Sequence, residues 1–277
     1  MNSPSSIAFL GPEGTFAHLA ANQRFGNKFA LVPQRSVADV FDYVRQDESR
    51  YGIVPIENSS GGTILDTVDR LVDASYDLFI QESLSINVKL ALLGKDKKNI
   101  RTIYSHFAPL HHCETWLRKN FPDAEKIETQ STTMAVIAAS KEAGAAAIGT
   151  RLAGEIYKLK VLEFPIEQDI PNVTQFLILG HTRPDARAGS QTSLVVELPN
   201  KVGSLYKFLG PFLKQGINLS RLLSRPLSGH PGSHLFLVDA ETTETDPKMQ
   251  RALKAARKHV VGIRSIGSYP VRKRYDS

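Results

Sequence analysis

The sequence has a single cysteine, a single tryptophan and no apolar run long enough to cross a membrane. One cysteine cannot close an internal disulfide, and it leaves no thiolate set for a structural zinc ion or an iron–sulfur cluster. The polar start, Met1 to Ser6, lacks the basic and apolar segments of a signal peptide. These absences predict a protein of a reducing, cytoplasmic compartment with no membrane partner.

Several common catalytic motifs are also missing. The chain has no Gly-x-x-x-x-Gly-Lys-Ser/Thr, Gly-x-Gly-x-x-Gly, His-Glu-x-x-His or Gly-x-Ser-x-Gly, so nothing anchors a nucleotide, zinc-hydrolase or serine-hydrolase function. The triplet His111-His112-Cys113 invites a metal or thiol site, but consecutive positions on a helix point in different directions. We interpret the triplet as packing and surface residues, and we expect no metal site.

The composition is that of an ordinary globular protein. Of 277 residues, 42% are hydrophobic and 22% are charged, which suffices for one large domain or for a large and a small one. The net charge of +6 is uneven, because residues 1–186 carry 19 Lys+Arg and 22 Asp+Glu while residues 187–277 carry 15 and 6. Much of the excess lies on Lys248, Arg251, Lys254, Arg257 and Lys258, which share a helix face, and in Arg272-Lys273-Arg274. No aromatic residues interleave with these charges, so we interpret them as a solvated helix face and terminus and expect no nucleic-acid partner.

From residue 7 to residue 180, short apolar runs alternate with amphipathic helical patterns. Ser36 is the predicted cap of one helix, with Asp39 at its third position. Such alternation is typical of an α/β fold. The long extended run 78–93 interrupts it, which predicts two lobes, with the chain crossing between them near 80 and returning near 165. The buried strands are predicted at Ile7–Leu10, Phe29–Val32, Gly52–Pro55, Ile100–Tyr104, Ala145–Gly149 and Phe176–Gly180.

The last third of the chain has a different rhythm. A polar segment, His181 to Gln191, has the composition of a linker. The order βαββαβ follows it, which is the ferredoxin-like arrangement. The predicted elements are strand 192–197, helix 202–215, strand 217–224, strand 233–240, helix 247–259 and strand 262–269. We therefore divide the chain into domains at 1–182 and 190–277.

Three segments place hydroxyl and small residues at the start of a predicted helix: Gly11 to Phe16, Glu57 to Thr63, and Ser131 to Thr133. Helix N-termini carry unpaired N–H groups and a partial positive charge. Three of them in one α/β region favour a small carboxylate or phosphate ligand, although each alone is an ordinary cap. His106, at the end of a predicted strand, suits either a cleft or a capping role.

These motifs resemble the prephenate dehydratase family, followed by an ACT domain. The first part of the resemblance is carried by Gly11-Pro-Glu-Gly-Thr-Phe16, Val54-Pro-Ile-Glu-Asn-Ser59, Ser105-His106, Ser131-Thr132, Ala147-Ile-Gly149 and Ile170-Pro-Asn-Val-Thr-Gln-Phe176. The ACT part is carried by Gly203-Ser-Leu205, Asn218-Leu219, Leu223-Ser-Arg-Pro226 and Gly267-Ser-Tyr-Pro270. No helical mutase segment precedes Ile7, so we expect the monofunctional form.

The resemblance implies a two-lobed catalytic domain, like a periplasmic binding protein, with its cleft between the lobes. It implies a lyase that converts prephenate to phenylpyruvate in phenylalanine synthesis, with loss of carbon dioxide and water and with no cofactor. The family's catalytic threonine corresponds to Thr174. The implied substrate contacts are Thr15, Asn58, Ser59, His106, Ser131, Thr132, Gln175 and Phe176.

The sequence departs from the family pattern at two positions. The arginine that follows the catalytic threonine is Gln175, which offers neutral hydrogen bonds in place of a charged fork. Either a nearby cation substitutes, or the reaction has become that of a non-aromatising prephenate decarboxylase; the presence of Thr174 favours the dehydratase. The glutamate of the family's phenylalanine site is Leu223, which puts the specificity of amino-acid binding in question.

The implied effector residues lie where ACT domains pair, so the resemblance implies a homodimer or homotetramer with L-phenylalanine as a candidate effector. These residues are Gly203, Ser204, Leu205, Asn218, Leu223, Ser224, Arg225 and Pro226. An alternative from another class is a non-catalytic module that senses an anion and an amino acid.

Overall fold

The computed structural model describes residues 6–227 and 233–277, so most of the polar start Met1–Ser6 lies outside the described residues. The strands form three sheets. The strands are β1 (Ser6–Leu10), β2 (Ala30–Gln34), β3 (Tyr51–Asn58), β4 (Gly62–Thr63), β5 (Phe79–Asn87), β6 (Ala91–Gly94), β7 (Thr102–Ser105), β8 (Glu125–Glu128), β9 (Ala145–Gly149), β10 (Lys160–Glu163), β11 (Val173–Gly180), β12 (Gln191–Glu197), β13 (Leu219–Pro226), β14 (His234–Ala240), β15 (Gly262–Tyr269) and β16 (Tyr275–Asp276).

Helices connect most of these strands. Short 3₁₀ helices lie at Gly26–Lys28, Ala74–Tyr76, Ala186–Ala188 and Arg257–His259. The α-helices are α1 (Phe16–Phe25), α2 (Val37–Arg45), α3 (Leu65–Val72), α4 (Phe107–His112), α5 (Glu114–Asn120), α6 (Thr132–Lys141), α7 (Arg151–Ile156), α8 (Ser204–Lys214) and α9 (Pro247–Ala256).

Helix α2 shows how local sequence sets an element. Its predicted cap is confirmed, because the hydroxyl oxygen of Ser36 accepts a hydrogen bond from the N–H of Asp39 at 3.0 Å. The inner face is buried and consists of Val37, Val40, Phe41 and Val44. An i, i+3, i+4, i+7 spacing places these four side chains on one stripe, which packs against the first sheet.

The first sheet has the strand order β16-β5-β11-β3-β1-β2, with β4 paired to β3. Strand β1 runs parallel to β2 and β3, whereas β11 runs antiparallel to β3 and β5. The second sheet has the order β10-β6-β9-β7-β8. The chain passes from the first sheet to the second at 88–90 and returns at 164–172. The two sheets with their helices form the two lobes.

The third sheet has the order β13-β14-β12-β15, and its pairings are all antiparallel. Helix α8 connects β12 to β13, and α9 connects β14 to β15. This order confirms the ferredoxin-like arrangement that the sequence predicts for the last third.

The third sheet shares a hydrophobic core with the first lobe. Val195, Leu237 and Ile266 belong to the same buried cluster as Val68 of α3 and Ile80 of β5. The opposite face of the third sheet packs against α8 and α9, where Phe208 and Phe212 are fully buried. The ferredoxin-like unit is therefore anchored to the first lobe by apolar contact.

Candidate functional site

A cleft of about 440 Å³ lies between the two lobes. The residues that line it lie at or just after the ends of β1, β3, β7 and β8 and at the start of β11. Most side chains of the cleft therefore come from strand ends. The polar residues that line it are Thr15, Asn58, His106, His112, Gln130, Ser131, Thr132, Asn172 and Thr174.

Asn58 and Thr174 form the polar centre of the cleft. They face each other across β3 and β11, and the Nδ2 of Asn58 donates to the Oγ1 of Thr174 at 2.9 Å. The Oδ1 of Asn58 accepts from the N–H groups of Ser60 and Gly61, which fixes the orientation of the amide. Since the Thr174 oxygen accepts from an amide, its own proton is available to a ligand in the cleft.

A second branch of this network reaches His112. The Nδ2 of Asn58 also donates to the Oδ1 of Asn172 at 2.8 Å, so the Nδ2 of Asn172 is the donor toward the Nδ1 of His112 at 3.0 Å. His112 is 3% exposed, and burial lowers the pKa of its imidazole, with a smaller contribution from His111. An accepting Nδ1 places the proton of the neutral ring on Nε2.

The N-terminus of α1 supplies another side of the cleft. Thr15 is its cap: the hydroxyl donates to the carbonyl of Leu10 at 2.9 Å and accepts from the N–H of His18 at 3.3 Å. The hydroxyl of Thr15 is thus committed to the helix. The remaining N–H groups of the first turn have no partner within the helix and carry its positive end.

Helix α6 presents its N-terminus to the same cleft. Ser131 caps it by accepting from the N–H of Met134 at 3.1 Å, and Thr132 is the buried first residue of the helix. His106 precedes α4 and also lines the cleft, and burial lowers the pKa of its imidazole. Two helix N-termini and two neutral imidazoles therefore meet at one cavity.

No lysine or arginine lines this cleft within the described part of the chain. The positive potential of the site comes instead from helix ends and from hydrogen-bond donors. Such an arrangement binds carboxylate groups through N–H donors.

Two implied substrate contacts lie elsewhere. The hydroxyl of Ser59 donates to the carbonyl of Pro171 at 3.0 Å and accepts from the N–H of Val173 at 2.9 Å, so it joins the loop before β11 to β3. Gln175 lies on the opposite face of β11 from Thr174, because successive side chains of a strand alternate. Its Nε2 donates to the hydroxyl of Ser83 at 2.9 Å. Phe176 returns to the cleft face and forms a buried wall.

The arginine that the family has at position 175 is absent, but an arginine of the third sheet lies beside Gln175. The Nη2 of Arg221 donates to the Oε1 of Gln175 at 2.6 Å. The guanidinium therefore lies behind the sheet and not in the cleft.

The implied effector residues divide between two cavities of the chain. Ser204 and Leu205 line a pocket of about 160 Å³. Arg225 and Pro226 line a groove of about 800 Å³ beside α3. Gly203 precedes α8 and has a φ of +80°. Asn218 and Ser224 are exposed, and Leu223 packs against the shared core.

Sequence reasoning missed several residues that line the cleft, among them Phe107, His112, Gln130 and Asn172. For the triplet at 111–113, the sequence predicts packing and surface residues. His111 is exposed and Cys113 is buried. His112 is buried too, and it also lines the cleft. Asn172 lies within the motif Ile170–Phe176, and its closeness to Thr174 in the sequence could have indicated that it lines the cleft.

Cys113 has no part in the cleft chemistry. Burial raises the pKa of its thiol to about 12, so it is not a nucleophile at neutral pH. Within residues 6–227 and 233–277, no group of three or more His, Cys, Asp or Glu side chains is arranged to hold a metal ion. None of the helices described there has the length and apolarity of a membrane span.

A cleft between two α/β lobes, lined by helix N-termini, amides and hydroxyls, defines a protein that binds a small anionic molecule. The family model described as prephenate dehydratase matches residues 7–184. The chain belongs to the prephenate dehydratase family.

Relatives of the chain have prephenate dehydratase in their names. A bifunctional chorismate mutase/prephenate dehydratase of Pseudomonas aeruginosa is 32% identical over 273 residues, which are 98% of this chain and 74% of that protein. The prephenate dehydratase of Methanocaldococcus jannaschii is 31% identical over 277 residues, covering 96% of this chain and 98% of the relative. The chain is accordingly a lyase that converts prephenate to phenylpyruvate.

Solved structures share the fold along nearly the whole chain. The prephenate dehydratase of Arthrobacter aurescens in complex with L-Phe has a TM-score of 0.86 and 28% identity, and covers 96% of this chain and 90% of that one. GqqA, described as a novel type of quorum quenching acylase, has a TM-score of 0.89 and 26% identity over 96% and 97% of the two chains.

Proposed function

We propose that the interlobe cleft binds prephenate and that Thr174 serves the departing hydroxyl group. The observation that carries this proposal is the hydrogen bond from Asn58 to Thr174. It occupies a lone pair of the Thr174 oxygen and directs the proton toward the ligand. Prephenate is a dianion, and its two carboxylates suit a cleft with several N–H donors.

The reaction breaks two bonds of the substrate. The bond between the ring and its carboxylate breaks and releases carbon dioxide. The electron pair moves into the ring, the bond to the hydroxyl oxygen breaks, and the leaving oxygen takes a proton and departs as water. Aromatisation supplies the driving force, so the protein has to orient the dianion and stabilise one oxygen.

Thr174 contributes a hydrogen bond that strengthens as negative charge develops on the leaving oxygen. An alcohol is a poor acid, so the bond itself does more than a full proton transfer from the side chain. We assign orientation of the carboxylates to the helix ends after Thr15 and Ser131, with Thr132 and His106 beside them, and the wall of the cleft to Phe176. His112 with Nε2–H is a further donor.

The fold neighbour described as an acylase does not change this proposal. Acyl transfer through a side chain needs a nucleophile next to a base. Among the described residues, the hydrogen-bond partner of the Thr174 hydroxyl is an amide, and the only thiol, Cys113, is protonated.

We further propose that the ferredoxin-like unit is an ACT regulatory domain that binds L-phenylalanine or a related amino acid, as the complex of the Arthrobacter relative suggests. The residues assigned to the effector are divided between two cavities of one chain, so we place the complete site where two copies meet. A homo-oligomer follows from this proposal, and we propose separately that it works in the cytoplasm.

Product analysis tests the catalytic proposal. Purified protein incubated with prephenate is expected to release carbon dioxide and phenylpyruvate in equal amounts, measured by the absorbance of the enolate and by mass spectrometry. A decarboxylated product that keeps its hydroxyl would establish the decarboxylase alternative. Absence of any turnover, together with binding of prephenate, would establish the sensor.

A further inference from the structure

Arg221 connects the third sheet to the back of the two strands that carry Asn58 and Thr174. It lies on β13, and its side chain is 9% exposed. One guanidinium nitrogen donates to Glu57 at 3.0 Å and to Gln175 at 2.6 Å. The other donates to Asp239 at 2.6 Å.

The acceptors of Arg221 are the immediate neighbours of the cleft residues. Glu57 precedes Asn58 on β3, and Gln175 follows Thr174 on β11. The register pairs Thr174 with Asn58 and Gln175 with Glu57, so the two pairs are consecutive steps of the ladder. Side chains alternate along a strand, so one pair faces the cleft and the other faces Arg221.

The guanidinium is itself held in place. Asp239, which is 1% exposed, accepts from Arg221 and also from the hydroxyl of Ser193. Ser193 in turn pairs with the hydroxyl of Tyr269 at 2.6 Å. This polar row crosses β15, β12, β14 and β13 within a buried region, where hydrogen-bonded networks rigidify their members.

We propose that Arg221 is a positioning residue for the lyase reaction. It holds Glu57 and Gln175 from behind the first sheet and so sets the hydrogen bond between Asn58 and Thr174 in the cleft. The inference rests on the proposed role of Thr174. It also accounts for Gln175: an arginine at this position would face the guanidinium of Arg221, whereas the glutamine oxygen accepts its hydrogen bond.

The decisive variant is Gln175→Met. It removes the acceptor for Arg221 but leaves the ion pair of Arg221 with Asp239, so the third sheet keeps its buried charge compensated. Arg221→Lys is the second variant, since it keeps the charge but not the two-pronged geometry. Arg183→Gln is the matched control, because it removes another contact of the ferredoxin-like unit, the pair with Glu244, without touching β3 or β11.

Steady-state kinetics with prephenate and thermal unfolding are measured for the set. We expect kcat to fall about tenfold to a hundredfold in Gln175→Met and Arg221→Lys with little change in KM, because a small misplacement of a catalytic group has effects of this size. Arg183→Gln is expected to retain the wild-type kcat.

The outcomes separate the two proposals. A folded Gln175→Met protein with wild-type kcat overturns the role of Arg221, even if Arg221→Lys does not fold. A rise in KM and a fall in kcat, together with a matching loss of thermal stability, would show a merely structural role and also overturn it. If wild-type protein makes no phenylpyruvate, or Thr174→Val is fully active, the proposed function fails instead.

Discussion

Asn58 is the residue on which the geometry of the cleft depends most. Its oxygen accepts from Ser60 and Gly61, and its nitrogen donates to Asn172 and Thr174. An amide with both ends engaged has a single orientation. The availability of the Thr174 proton follows from that orientation, and so does the tautomer of His112.

Replacing Thr174 by valine removes the hydroxyl and preserves the shape of the side chain. Loss of a hydrogen bond to a developing oxyanion lowers kcat by about 10²–10³-fold, with little effect on KM. Thr102→Val is the matched control, because Thr102 lies on β7 of the second sheet and its hydroxyl donates to Glu142, the residue after α6. A Thr174→Val protein with more than a tenth of the wild-type kcat would contradict the assignment.

Asn58→Asp isolates the donor half of the amide. A carboxylate still accepts from Ser60 and Gly61, but it cannot donate, so the Thr174 hydroxyl turns toward it. We expect kcat to fall by about 10²-fold or more, measured beside Asn120→Asp, whose amide lies at the end of α5. Full activity of Asn58→Asp would show that the direction of this hydrogen bond is irrelevant.

The stability of the protein should depend on the neutral state of buried histidines. Burial lowers the pKa of His18, His106 and His112 below the ordinary value of 6.5. Below that pH the unfolded chain binds more protons than the folded one, so the free energy of unfolding decreases as the pH falls through 6.5 toward the folded-state pKa values. Above about pH 7.5 these groups contribute their full stabilisation.

Urea unfolding between pH 5.5 and pH 7.5 measures this dependence. His112→Gln keeps an acceptor for Asn172, and we expect it to show a shallower decrease than the wild type. Identical slopes in the wild type and His112→Gln would refute the contribution of His112.

The residues of the cleft were only partly predictable from the sequence. Thr15, Asn58, Ser131 and Thr174 lie in motifs at strand ends, and the structure brings them to one cavity. Gln175 lies in the same motif as Thr174, yet strand alternation turns it to the other side of the sheet. His112 escaped prediction because its helix has six residues and gives no clear periodicity.

Among elements, the turn from β1 into α1 determines how the lobes meet. Gly14 has a φ of +92°, and a Cβ at this position would lie 2.9 Å from the Cβ of Ala153 on α7. Its carbonyl accepts from the hydroxyl of Thr150 at 2.6 Å. The lobes therefore touch through a glycine next to Thr15.

Gly14→Ala is expected to destabilise the protein by about 1–3 kcal/mol, since the backbone becomes strained and α7 must move. KM for prephenate should also rise, because the start of α1 shifts. Chemical denaturation and steady-state kinetics check both effects. Gly210→Ala, at a position on α8 where a Cβ meets nothing within 4 Å, is the control. Equal stability of the two variants would contradict the close approach.

The elements that sequence patterns failed to predict are those with little burial. Strands β8 and β10 form the two edges of the second sheet, and each contains at most two apolar residues between charged ones, so no apolar run marks them. The predicted helix after Gly62 begins only at Leu65, because Gly62 and Thr63 pair with β3. For such short segments, pairing with another strand decides whether a strand or a helix forms.

For the whole molecule, the uneven charge has a structural meaning. Arginines of the basic last third bind acidic groups of the first lobe: Arg225 pairs with Asp69, and Arg272 pairs with Glu82. Arg264 donates to the carbonyls of Leu71 and Val72 at the end of α3. The net positive charge of the ferredoxin-like unit thus contributes to docking on its own chain.

Self-association is the testable property at this scale. Tyr206 and Leu213 of α8 and Val202 just before it form an apolar stripe whose side chains are almost fully exposed. If this stripe belongs to the contact between copies, Leu213→Glu should lower the mass measured by light scattering at micromolar concentration. Lys214→Glu, at the next residue, controls for the change of charge. Unaltered mass in Leu213→Glu would exclude the stripe from the contact.

The core shared by the first and third sheets makes the two units one thermodynamic body. Tyr269 and Leu237 are buried against residues of the first lobe, so separation would expose apolar surface and break the hydrogen bonds of Arg221 to Glu57 and Gln175. Calorimetry should therefore show both units melting in one cooperative transition. A chain cut within 181–190 would yield fragments that aggregate. Any regulation that loosens this interface would lower the stability of the whole first lobe.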